Sequence, residues 1–95
     1  MQILPIDIEN KIKLLYSDSK DRESATELLR SLWHTSLNVG EEQLARSILT
    51  IAGSDINVIK KIFDSNFFGD PRDVIMKAEK KTGNPGHYFI KPFET

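Results

Sequence analysis

Cysteine is absent from this 95-residue chain, which excludes disulfides, thiol nucleophiles and zinc–thiolate sites together. A surplus of either charge is also missing. Thirteen basic residues face fourteen acidic ones, for a net charge of −1, and both signs are spread over the whole chain. Balanced charge removes the usual electrostatic footprint of a nucleic-acid or anionic-membrane binder. No apolar run approaches the length that spans a bilayer. The opening Met1-Gln2-Ile3-Leu4-Pro5 lacks the basic flank and long apolar stretch of a signal peptide, so a cytoplasmic location without a membrane partner is expected. Glycine and proline are few, five and four, and no internal repeat, low-complexity run or linker is visible.

What remains is an ordinary globular mixture, 39% hydrophobic and 28% charged. A chain this short buries roughly 60–65% of its unfolded surface, enough for one modest core. Residues 1–95 read as one domain, and periodicity divides them into about five short helices and a tail. The first helix is expected over Asp7 to Tyr16, with Asp7 as N-cap and Ile8, Ile12 and Leu15 on one face. Ser17 to Lys20 interrupts it, because short polar side chains compete for backbone hydrogen bonds. The second helix, Asp21 to Leu37, carries the stripe Ala25, Leu28, Leu29, Leu32 and Trp33. Asn38-Val39-Gly40 ends it, with Gly40 suited to a left-handed cap.

Glu41 and Glu42 open a third helix at its positive dipole end. Leu44, Ala45, Ile48, Leu49, Ile51 and Ala52 make its apolar arc wide enough for a central helix contacted from two sides. Gly53-Ser54-Asp55 stops it and caps a fourth helix, Ile56 to Ser65, which presents Ile59, Ile62 and Phe63. Asp70-Pro71-Arg72-Asp73 then gives the clearest helix start in the chain. Lys80-Lys81-Thr82-Gly83 ends this fifth helix, and Asn84-Pro85-Gly86-His87 has the form of a type II turn. From His87 to Thr95 the chain is expected to be extended or irregular, since Pro92 opposes a helix. The fold class is therefore an all-α bundle with an extended aromatic C-terminal tail, and Trp33, Leu29, Ile48, Ile51, Ile59 and Phe63 are its expected core.

Chemistry is harder to find. Ala45 to Ile62 has the outline of a DNA-binding helix-turn-helix, with Gly53 at the turn and Ile48, Ala52, Ile59 and Ile62 between the helices. Leu49 crowds that junction, however, and only Lys60 and Lys61 would offer phosphate neutralisation, so nucleic acid is not the expected partner. Asp64 to Gly69 begins like a calcium loop. It fails at Phe68 and at Ile75, where oxygen ligands are required. His34 and His87 are the two histidines, and neither has a serine or carboxylate at a spacing that marks a triad. No phosphate-binding, dinucleotide or metalloprotease motif is present, and no catalytic residue, metal or cofactor is assigned.

Aromatic residues stand out instead. Tyr88, Phe89 and Phe93 crowd a terminus, a place that is normally polar, and Phe67-Phe68 closes the fourth helix. These five are the candidate partner-binding residues, for another protein or a second copy of the chain; core completion is the competing reading. The function expected is a non-enzymatic interaction or regulatory module. The alternatives are a helix-turn-helix DNA binder, or a small enzyme or ligand binder near His34 or His87.

Overall fold

The computed structural model describes residues 4–34 and 39–93, apart from the side chain of His87. The described residues form a compact all-α bundle of five helices: α1 (Ile6–Leu15), α2 (Ser19–Arg30), α3 (Glu41–Ala52), α4 (Ile56–Asp64) and α5 (Pro71–Thr82). Short 3₁₀ segments cover Ser31–His34, Phe67–Gly69 and Gly86–Ile90, and no strand occurs among the described residues.

The helix ends follow local chemistry, with corrections to three expectations. Asp7 is not the cap of α1. Pro5 holds that place with an extended ψ of 143°, and its carbonyl accepts from the Ile8 and Glu9 amides at 3.0 and 3.1 Å. Asp7 therefore lies inside the first turn, free to use its carboxylate elsewhere. Helix α2 begins before Asp21, because Asp18 accepts from the Lys20 amide at 2.7 Å and caps it. Its α-helical part ends at Arg30 and tightens into the 3₁₀ segment; the expected extension to Leu37, and Asn38, fall outside the described residues. Gly40 does not adopt a left-handed cap. At φ −66° it precedes α3 and accepts from the Leu44 amide at 3.0 Å, opening a helix instead of closing one.

The other punctuation folds as its residue types dictate. Asp55 accepts from the Asn57 amide at 3.0 Å and caps α4. Asp70 accepts from the Arg72 amide at 2.9 Å with Pro71 in the first turn. Gly83, at φ 74°, takes the left-handed cap of α5 that side-chain-bearing residues adopt only with strain.

Helix α3 is central, packed by α1, α4, α5 and the Gly86–Ile90 segment. All six residues from Leu44 to Leu49 are buried, so this helix is covered nearly all round rather than along one stripe. Ile8, Ile12, Leu29, Leu32, Ile59, Ile62 and Val74 close on it from the neighbours. Each such aliphatic side chain contributes about 1.5–3 kcal/mol on burial. Of the expected core, Leu29, Ile48 and Ile59 are buried, while Trp33, Ile51 and Phe63 pack half-buried at its rim.

The tail does not begin as an extended segment. Gly86–Ile90 winds into a 3₁₀ turn, with the Tyr88 amide donating to Pro85 at 2.9 Å and the Lys91 amide to Tyr88 at 3.2 Å. Pro92 constrains only itself and its predecessor: Lys91 is extended at φ −84°, ψ 150°. Upstream of that pair the chain is free to coil. Pro85 (ψ 158°) caps this turn, so the segment opens a 3₁₀ helix where a type II turn was expected.

Candidate interaction surface

The five candidate aromatics divide between two places. The first is the C-terminal segment, which is fastened down by a buried arginine. Arg46, on α3, is only 2% exposed. Its Nε and Nη2 donate to the two carboxylate oxygens of Asp7 at 2.9 and 3.0 Å, a bidentate pair. Its Nη1 donates to the Phe89 and Ile90 carbonyls at 3.2 and 2.7 Å. Asp7 also accepts from the Phe93 amide at 3.1 Å. Two side chains thus tie α1, α3 and the tail together.

The electrostatics agree with the geometry. Burial is the largest single influence on the Asp7 carboxyl and raises its pKa, but the Arg46 and Phe93 hydrogen bonds and the Arg46 charge together outweigh it. The net result lies below the ordinary aspartate value. Charge-assisted, bidentate pairs of this kind are the strong ones.

This clamp buries part of the tail's apolar surface and leaves Ile90 57% exposed. Phe89 is buried at 1% exposure, and Phe93 is half-buried with the Lys11 ammonium 5.2 Å from its ring centre. Tyr88, 37% exposed, stands edge-on to Phe89 at 5.4 Å. Between α1, α3 and the tail lies a cleft of about 280 Å³, bounded by Lys11, Leu15, Thr50, Tyr88 and Phe93.

The second place is the connection from α4 to α5. Asn66, Phe67 and Phe68 have φ of 55°, 60° and 58°: three successive non-glycine residues in the left-handed region. Left-handed backbone costs a side-chain-bearing residue about 1–2 kcal/mol, and it occurs as single residues rather than runs. The turn closes through the Gly69 amide to Asn66 at 3.0 Å and the Asp70 amide to Phe67 at 3.1 Å. The Phe68 amide donates to Ser65 Oγ at 3.0 Å.

The turn sends its two aromatic rings opposite ways. Phe67 is buried, its ring 5.2 Å from that of Phe63 in an edge-on arrangement. Phe68 is 36% exposed, with the Lys77 ammonium 4.9 Å from its ring centre. Beside it, Asp73, Met76, Lys77 and Lys80 occupy one face of α5, since residues three and four apart are neighbours on a helix. With Phe68 they border a shallow depression of about 270 Å³, and Met76 is 52% exposed there.

The remaining sequence candidates are scattered. His34 is exposed at the end of the Ser31–His34 turn, and the side chain of His87 lies outside the described residues. Among the described residues no three His, Asp or Glu side chains converge as metal ligands would. The α3–α4 pair does meet at Gly53, but Ile56 is buried, leaving Asn57, Lys60, Lys61 and Asp64 as the outward residues of α4. No helix among the described residues is long and apolar enough to cross a membrane. The Arg46–Asp7 clamp was not expected from the sequence; its only signal was a charged residue inside an otherwise apolar arc.

No family model matches the chain, and no curated protein or solved structure is similar to it.

Proposed function

We propose that this chain works by protein–protein contact, as a non-enzymatic interaction or regulatory module of the cytoplasm, and that Phe68 and Met76 form its contact surface. The observation that carries this is the left-handed Asn66–Phe68 turn. Phe67 recovers the strain of its backbone by burying its ring, which is worth about 1.5–3 kcal/mol. Phe68 recovers less of it, because over a third of the residue faces water. Glycine or asparagine would hold the same turn at lower cost. Strain kept where the fold gains little from it is a mark of function.

Phe68 and Met76 are an exposed apolar pair that shares one depression. Tyr88 is about as exposed as Phe68, and Ile90, Ile6 and Leu14 are more so, so what distinguishes Phe68 is its strained backbone rather than exposure. Co-purification with the tagged chain tests the proposal. A partner retained by the unmodified chain and lost from a folded Phe68→Asp, Met76→Asp variant is the expected result. Identical sets of captured proteins would overturn it.

A further inference from the structure

The Phe68 depression has a charge pattern that narrows what can occupy it. Its rim carries two cations, Lys77 and Lys80, and one anion, Asp73. Neither lysine belongs to an ion pair among the described residues, whereas the neighbouring Arg72 is engaged by Asp70 at 3.1 Å. Lys81 is directed elsewhere, donating to the Ile51 carbonyl at 2.9 Å. The Lys77 ammonium rests on the Phe68 ring instead of a carboxylate. Such an exposed contact is worth only about 0.5–1 kcal/mol and is readily exchanged.

We infer that the partner is a protein segment that places an apolar side chain between Phe68 and Met76 and carboxylates over Lys77 and Lys80. This rests on the contact function proposed above and specifies its partner. Three features fit together. Two exposed apolar side chains provide an adaptable floor, since methionine's unbranched thioether conforms to irregular shapes. The lysines, at positions three apart on α5, stand on the same side of the helix, so a carboxylate beside the inserted apolar group reaches either one. Asp73, one turn before Lys77 on the same face, disfavours a basic segment and sets the direction in which an acidic one lies. The same asymmetry argues against a nucleic-acid strand, whose phosphates would pass Asp73 as well as the lysines.

The test is a titration of the isotope-labelled full chain, followed by amide NMR. The probe is a short model peptide alternating leucine and glutamate. Its controls are the same peptide with lysine for glutamate and a short random DNA duplex. Saturable shifts centred on residues 68–80 with the acidic peptide alone are expected. Lys77→Gln and Lys80→Gln should each weaken this binding about two- to fivefold, as exposed ion pairs do, and added salt should weaken it further. Phe68→Ala should abolish it while leaving the rest of the spectrum in place. Equal binding of the basic peptide, equal binding of the duplex, or shifts centred on residues 88–93 would each overturn the inference. So would an acidic peptide that fails to bind while Phe68-dependent capture of a partner persists; the contact function would then stand with a different partner chemistry.

Discussion

Replacing Arg46 should cost this protein a large part of its stability, because its guanidinium is buried among four acceptors. Arg46→Ala leaves the Asp7 carboxylate with its side chain only 12% exposed and its cation gone. It also strands the Phe89 and Ile90 carbonyls. Breaking a buried pair by removing one partner typically costs about 3–5 kcal/mol, against a total of about 5–15 kcal/mol for a domain. Asp7→Asn keeps the shape and loses the charge, so a smaller loss of about 1–3 kcal/mol is expected. The double variant should fall well short of the sum, since the second change removes a group whose partner has already gone. Urea unfolding of the four proteins reads these values from the midpoints. Arg46→Ala within about 0.5 kcal/mol of the parent, or losses that add within that margin, would refute the clamp. Its pH dependence has a definite sign. Asp7 titrates below its unfolded value, so its contribution is complete above the unfolded pKa, near pH 4, and is lost as pH falls through the folded one. Asp7→Asn should therefore flatten the acid limb of the stability profile and leave neutral pH to alkaline pH unchanged in slope.

Tyr16 makes the opposite prediction at high pH. Its hydroxyl donates to the Gly53 carbonyl at 2.7 Å, and burial, then the Asp55 and Asp21 charges, push its pKa up to about 12. Stability should be lost as pH rises from the unfolded value toward that one, and Tyr16→Phe should abolish this alkaline loss while costing about 1 kcal/mol at neutral pH; an unchanged alkaline limb would contradict it. In the core, Ile48→Ala and Leu29→Ala should each cost about 2–5 kcal/mol in urea or thermal melts, and near-parental stability for both would show these helix faces to be wrong. Polarisation titration against random duplex at low salt should show no binding at micromolar protein, and saturable binding lost in Lys60→Gln, Lys61→Gln would favour the α3–α4 pair as a DNA reader.

The sequence made the local parts of this fold legible and the long-range parts opaque. Asp55, Asp70 and Gly83 announce helix ends because capping depends on a residue and its next few neighbours. The wide apolar arc of α3 likewise revealed its central place. Asp7 shows the limit: an aspartate near a helix start satisfies the same local rule as a cap, and only Arg46, 39 positions on, makes it a clamp instead. The tail's composition pointed to three aromatics needing cover, yet of these only Phe89 is buried, while Phe93 is half-buried and Tyr88 is left at the surface. Phe67 and Phe68 are indistinguishable as letters. The three left-handed residues decide which ring goes inward, and nothing short of the folded backbone records that.

The most direct test of the functional account is the relative stability of Phe68→Gly and Phe68→Ala. Both remove the ring and its contact with Lys77, so they differ in how the backbone tolerates φ 58° and in the freedom of the unfolded chain. At an ordinary position alanine would be the more stable by about 0.4–1 kcal/mol, because glycine loosens the unfolded chain. At a strained left-handed position the order reverses. Phe68→Gly is expected to melt above Phe68→Ala, by about 1 kcal/mol in stability. Alanine equal to or above glycine would contradict it, removing the strain on which the assignment of Phe68 to a contact surface depends.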